Sequence, residues 1–106
     1  MNPLNRLCTA GGSSGGEAVL VAMRGSMIGW GGDTSGSIRV PAMCDEIFGI
    51  KSKNSRIPAG GGPLIANDGL SRLGVQAVAG PLTRTMEDLD SWEKLFPDIH
   101  FGQRTV

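Results

Sequence analysis

Helix and strand signals alternate along this chain, and the alternation predicts an α/β (or α+β) organisation. Two further observations support a packed globular chain. Hydrophobic residues make up 40% of the 106, and a capping-box spacing stands directly before a six-residue apolar run. That spacing, Ser14-Gly15-Gly16-Glu17 ahead of Ala18 to Met23, predicts a helix from about Gly15 to Arg24, stopped by Gly25-Ser26. The run is apolar almost all round, so the helix is expected to be buried rather than amphipathic.

Met27 to Trp30 is apolar and short, long enough only for a buried strand. Gly31 to Gly36 reads as a loop. A second helix is expected from Ser37 through Cys44, with Pro41 in the first turn, where a missing N–H costs little. Ile47 to Lys51 reads as another short strand, and Asn54 to Gly74 as loop, with turn chemistry at Pro58, Gly60 to Pro63 and Asn67-Asp68-Gly69. Val75 to Ala79 alternates before a break at Gly80-Pro81. Thr85-x-x-Asp88 opens a last helix, about Met86 to Leu95, ended by Pro97. Residues 98–106 carry no usable pattern.

Composition excludes several partners. Ten basic and ten acidic residues cancel to zero net charge, which leaves no electrostatic footprint for nucleic acid and no polybasic membrane patch. The longest apolar run is far short of the ~20 residues that cross a bilayer, and the N-terminus lacks a signal pattern. An intracellular, cytoplasmic protein is the expectation. Cys8 and Cys44 are too few for a disulfide framework and have no metal-ligand spacing, so two reduced, mostly buried thiols are expected and no metal or other cofactor. Nothing in the sequence sets the oligomeric state.

Glycine is the anomaly. The chain has 17, nine of them between Gly11 and Gly36, although glycine loses more backbone freedom on folding than any other residue. Phosphate binding is a poor account of that window. Gly11-x-x-x-x-Gly16 has P-loop glycine spacing, but Glu17 stands where the motif needs Lys, and Gly31-x-x-x-x-Gly36 is followed by Ser37-Ile38. Acyl transfer by an activated serine is a second account: Asp33-Thr34-Ser35-Gly36-Ser37 is a tight turn that can aim successive N–H groups at an oxyanion, with Ser37 attacking. The plain account makes Ser13, Ser14 and Ser37 helix caps, and taken alone the residues favour it.

Two blocks carry a resemblance that changes the balance. Thr9-Ala10-Gly11-Gly12-Ser13-Ser14-Gly15-Gly16-Glu17 and Gly32-Asp33-Thr34-Ser35-Gly36-Ser37-Ile38-Arg39-Val40-Pro41-Ala42 closely resemble the signature of the amidase signature hydrolases. The 24-residue separation of Ser13 and Ser37 fits as well. So do Asn2-Pro3-x-Asn5, Phe48-Gly49-Ile50-Lys51, Arg56-Ile57-Pro58, and Gly80-Pro81-Leu82 ahead of Glu87-Asp88-Leu89, the last pieces looking closest to the acetamidase-like branch. The resemblance covers residues 2–96 and implies part of a single domain with a mixed sheet core flanked by helices.

It also implies an enzyme that hydrolyses a small carboxamide through a Ser-Ser-Lys triad. Ser37 would be the nucleophile, and Ser13, behind a cis Gly12–Ser13 bond, the serine that passes its proton on. The N–H groups of Thr34, Ser35, Gly36 and Ser37 would line the oxyanion hole. Ser14 would stand behind the site, and Asp33 and Arg39 would hold the loop by hydrogen bonds rather than touch substrate.

Two departures stand out. The family commonly has Gly where this chain has Ser35, a change compatible with the loop if φ there is negative. The family lysine lies upstream of the first serine block, whereas Lys51, Lys53 and Lys94 all lie downstream here, Lys51 at a strand end with a structural role. A truncated amidase is therefore expected, the alternative being a non-catalytic remnant or interaction module of the same fold. His100, Asp45-Glu46 and Glu87-Asp88 read as solvated residues or caps, and Trp30 and Trp92 as packing residues.

Overall fold

The computed structural model describes residues 1–54, 57 and 77–95. Their order is α1 (Gly15–Ala22), β1 (Ile28–Asp33), α2 (Arg39–Cys44), β2 (Phe48–Gly49), β3 (Val78–Thr83) and α3 (Met86–Leu95). The three strands form one sheet in the order β1-β3-β2, and both ladders are antiparallel. The expected loop at 54–74 (Asn54 and Ile57 apart), Val75, Gln76, Arg56, Pro97, His100 and the tail lie outside the described residues.

Several boundaries move for identifiable reasons. Gly31, Gly32 and Asp33, expected in a loop, extend β1 because each has a partner on β3: Gly31 faces Gly80, Gly32 faces Ala79 and Asp33 faces Val78. β3 in turn runs through Gly80-Pro81 rather than breaking there. Ile50 donates its N–H to the Pro81 carbonyl at 3.2 Å, and proline can return no N–H, so the short ladder to β2 stops at Gly49. A Cβ at Gly80 would collide with the Ile50 carbonyl, which makes glycine necessary at that crossing.

α1 is not capped as expected. Ser14 makes no side-chain cap, and its N–H goes to the Ser37 carbonyl at 3.1 Å. Glu17, the other half of the supposed box, instead accepts from the Trp30 N–H at 3.1 Å and ties α1 to β1. Nor is the helix buried all round: Gly15, Ala18 and Val21 are buried, whereas Leu20 is 47% exposed. At its far end the Val21 carbonyl accepts twice, from the Arg24 N–H at 3.1 Å and from the Arg84 guanidinium at 3.2 Å, which ties the last turn to the end of β3. α3 begins as its sequence predicts, with Thr85 Oγ1 accepting from the Asp88 N–H at 3.1 Å.

The core is small. Ala18 and Val21 from α1, Ile38 and Ala42 around α2, and Leu82 from β3 are buried together, with Ile47 against them. Trp92 pins α3 to the sheet, its ring 5.5 Å from that of Trp30 at 43°, a tilted geometry favoured by aromatic quadrupoles. Cys8 is exposed and Cys44 half-buried, both free, so the expected burial of the thiols is wrong for Cys8. Asp45, expected to be solvated, is buried at the end of α2.

Candidate active site

The site is organised by one carboxylate. Asp33, the last residue of β1, has a fully buried side chain and accepts five hydrogen bonds from the turn that follows it. Its Oδ1 takes the Gly36 N–H at 2.8 Å, and its Oδ2 takes the N–H groups of Ile38 and Arg39 at 3.2 and 3.3 Å. The Arg39 guanidinium adds a two-point contact, Nε to Oδ2 at 3.0 Å and Nη2 to Oδ1 at 3.1 Å. The residue at the α2 N-cap position is Ile38, which offers no side-chain cap, so Asp33 supplies the capping acceptor from five residues upstream. Burial pushes the Asp33 carboxyl up, but the guanidinium and the three N–H donors outweigh it and hold the pKa at about 2. The carboxylate is therefore charged across the neutral range.

This arrangement removes the plain account of the serines. Ser37 lies ahead of the α2 N-cap, and the capping is done by Asp33; Ser14 does not cap α1 either. Ser14 Oγ reaches only the Gly32 carbonyl, at a long 3.4 Å. Among the described residues, the hydroxyls of Ser13 and Ser37 have no hydrogen-bond partner. Ser13 is exposed, follows a cis Gly12–Ser13 bond, and lines a cavity of about 340 Å³ with Thr9, Gly11 and the first turn of α1.

Close backbone approaches hold the two serine blocks side by side. Besides the Ser14 to Ser37 bond, Gly11 at φ +74° sits where a Cβ would stand 3.0 Å from the Pro41 nitrogen. A Cβ on Gly31 would lie 2.7 Å from Ser14 Oγ and 3.0 Å from Ile38 Cγ1. Here glycine is required by contact as well as by conformation.

The turn between Asp33 and Ser37 presents N–H groups, with one correction to the expected set. The Gly36 N–H is committed to Asp33, which removes it from the donors open to an oxyanion. Among the described residues, none accepts from the N–H groups of Thr34, Ser35 or Ser37. Ser35 has no positive φ, so the serine found there in place of glycine fits, while Gly36 at φ +130° takes the conformation that needs glycine. Sequence reading missed Glu17 as the tether of α1 to β1, because its spacing after Ser14 imitates a capping box. The described residues contain no group of three or more His, Cys, Asp or Glu that could hold a metal ion, and no helix among them is long and apolar enough to cross a membrane.

Comparison with known proteins shows the family. The chain is 43% identical over 95 residues to an amidase of Gibberella zeae, FG08078, and 40% identical over 103 residues to an acetamidase of Emericella nidulans. These matches take in 90% and 97% of this chain but 17% and 18% of the relatives, so the chain spans less than a fifth of their length. A solved fatty acid amide hydrolase superposes with a TM-score of 0.76 at 35% identity, covering 99% of this chain and 20% of that one. The family model described as Amidase matches residues 1–95, and the chain belongs to the amidase family.

Proposed function

We propose that these residues form the serine-bearing centre of a single amidase domain that hydrolyses a small carboxamide to a carboxylic acid and ammonia in the cytoplasm. Ser37 Oγ attacks the amide carbon and its proton passes towards Ser13. The oxygen that becomes negative meets the N–H groups of Thr34, Ser35 and Ser37. The amide nitrogen takes up a proton and leaves as ammonia, so that an ester remains on Ser37, which water then cleaves. The resemblance assigns final uptake of the Ser13 proton to a neutral lysine; Lys51, Lys53 and Lys94 do not stand in that motif.

One observation carries this reading: a buried Asp33 takes over the capping that would otherwise occupy Ser37, and among the described residues neither the Ser37 hydroxyl nor the N–H groups of Thr34, Ser35 and Ser37 have a hydrogen-bond partner. The relatives described as an amidase and an acetamidase support a small amide as substrate. Ammonia release from a short carboxamide tests it. Release that falls by on the order of 10³-fold or more in Ser37→Ala is the expected result. Release unchanged by that substitution, or none from a folded wild-type chain, overturns it and favours a non-catalytic interaction module.

A further inference from the structure

Two free cysteines distant in sequence face one cavity. Cys8 is exposed and Cys44 half-buried, and together with Asn2, Asn5, Thr9 and Glu46 they line a space of about 340 Å³ that shares Thr9 with the cavity beside Ser13 but contains none of the serines. Asn2 holds the two segments together. Its Nδ2 donates to the Thr9 carbonyl at 3.1 Å and to the Cys44 carbonyl at 2.6 Å, while its N–H donates to the Cys8 carbonyl at 3.4 Å. The carbonyls of residues 8, 9 and 44 thus converge on one buried side chain and its backbone. Cys44 is the last residue of α2, whereas residues 1–9 form no helix or strand and can shift at lower cost.

We propose that Cys8 and Cys44 are a reversible thiol–disulfide site whose co-substrate is a low-molecular-weight disulfide of polar, peptide-like character. Cys8, the more accessible, attacks first as thiolate. Its sulfur bonds to one sulfur of the small disulfide, and the other leaves as a thiolate. The Cys44 thiolate then attacks Cys8 Sγ, closing the Cys8–Cys44 bond and expelling the second small thiolate. Two protein thiols are oxidised, one small disulfide is reduced to two thiols, and the two protons lost by the cysteines end on those thiols. Asn5 and Thr9 offer amide and hydroxyl groups to the incoming molecule at the cavity wall. Closure ties the segment that leads into the first serine block to the far end of the helix that follows Ser37. A bridge requires Cα atoms within about 7 Å, and any approach it needs falls to the arm before Thr9.

Incubating the purified chain with oxidised glutathione, then measuring intact mass and mapping peptides after alkylation, tests the proposal. The expected product is lighter by two hydrogens, has Cys8 linked to Cys44, and returns to two alkylatable thiols with dithiothreitol. Cys44→Ser should stop at a glutathione adduct on Cys8. Asn2→Ala should slow closure of the Cys8–Cys44 bond several-fold. A wild-type chain that holds a stable adduct on Cys8 with Cys44 still alkylatable, or that links the pair only in denaturant, overturns the proposal.

Discussion

Asp33 and Arg39 form a two-point ion pair in which the aspartate side chain is fully buried and the arginine side chain is 53% exposed, the two contacts measuring 3.0 and 3.1 Å. The asymmetry of burial decides which partner matters more. Arg39 without Asp33 can return to water, whereas Asp33 without Arg39 still serves three backbone N–H groups.

Asp33→Ala should therefore cost about 3 kcal/mol or more, since it leaves the N–H groups of Gly36, Ile38 and Arg39 without their acceptor. Arg39→Ala should cost clearly less, because the side chain is half in water and the carboxylate keeps its backbone donors. Urea denaturation midpoints of the two variants would check the order, and equal losses would contradict it.

The same pair sets an acid limit. The folded-state pKa of Asp33 lies at about 2, below the ordinary 3.8, so the stabilisation is fully present above pH 4 and is lost as pH falls towards 2. About 2 kcal/mol is expected to disappear across that window. Asp45 acts in the opposite sense. Burial raises its pKa, partly offset by the amino terminus, and among the described residues neither carboxylate oxygen has a hydrogen-bond partner. Its folded state holds the proton more tightly, so stability falls as pH rises from 3.8 through the raised value. Asp45→Asn should thus stabilise the chain at neutral pH, on the order of 1 kcal/mol, measurable as a higher midpoint at pH 7 that vanishes near pH 3.

Packing between the serine blocks gives a further test. Gly31→Ala places a methyl 2.7 Å from Ser14 Oγ and 3.0 Å from the buried Ile38, and should cost about 1–3 kcal/mol. Gly11→Ala meets the Pro41 backbone at 3.0 Å from a positive φ, and should cost at least as much. At Gly32 nothing lies within 4 Å of the added carbon, so Gly32→Ala should change the urea midpoint little.

Much of this was legible in the residues. Thr85 and Asp88 announced α3 because their cap depends on spacing alone, and the two glycine blocks announced the serine loops. What stayed hidden depended on partners remote in sequence. Ser14 and Glu17 match a capping box, yet Ser37 and Trp30 compete for the same groups and win. Gly80-Pro81 looks like a break until β1 supplies partners for both residues. Gly36 counted as an oxyanion donor until its N–H was found on Asp33. Asp45 read as solvated because nothing in its neighbourhood says that the chain folds over it.

The central claim is that Ser37 is a nucleophile set free by Asp33. Incubating the folded chain with a serine-directed fluorophosphonate and mapping the modified peptide measures this without assuming a substrate. The account predicts a single label on Ser37 that is absent in Ser37→Ala and slowed in Ser13→Ala. No label on a chain shown to be folded by circular dichroism, or a label that persists in Ser37→Ala, would contradict it.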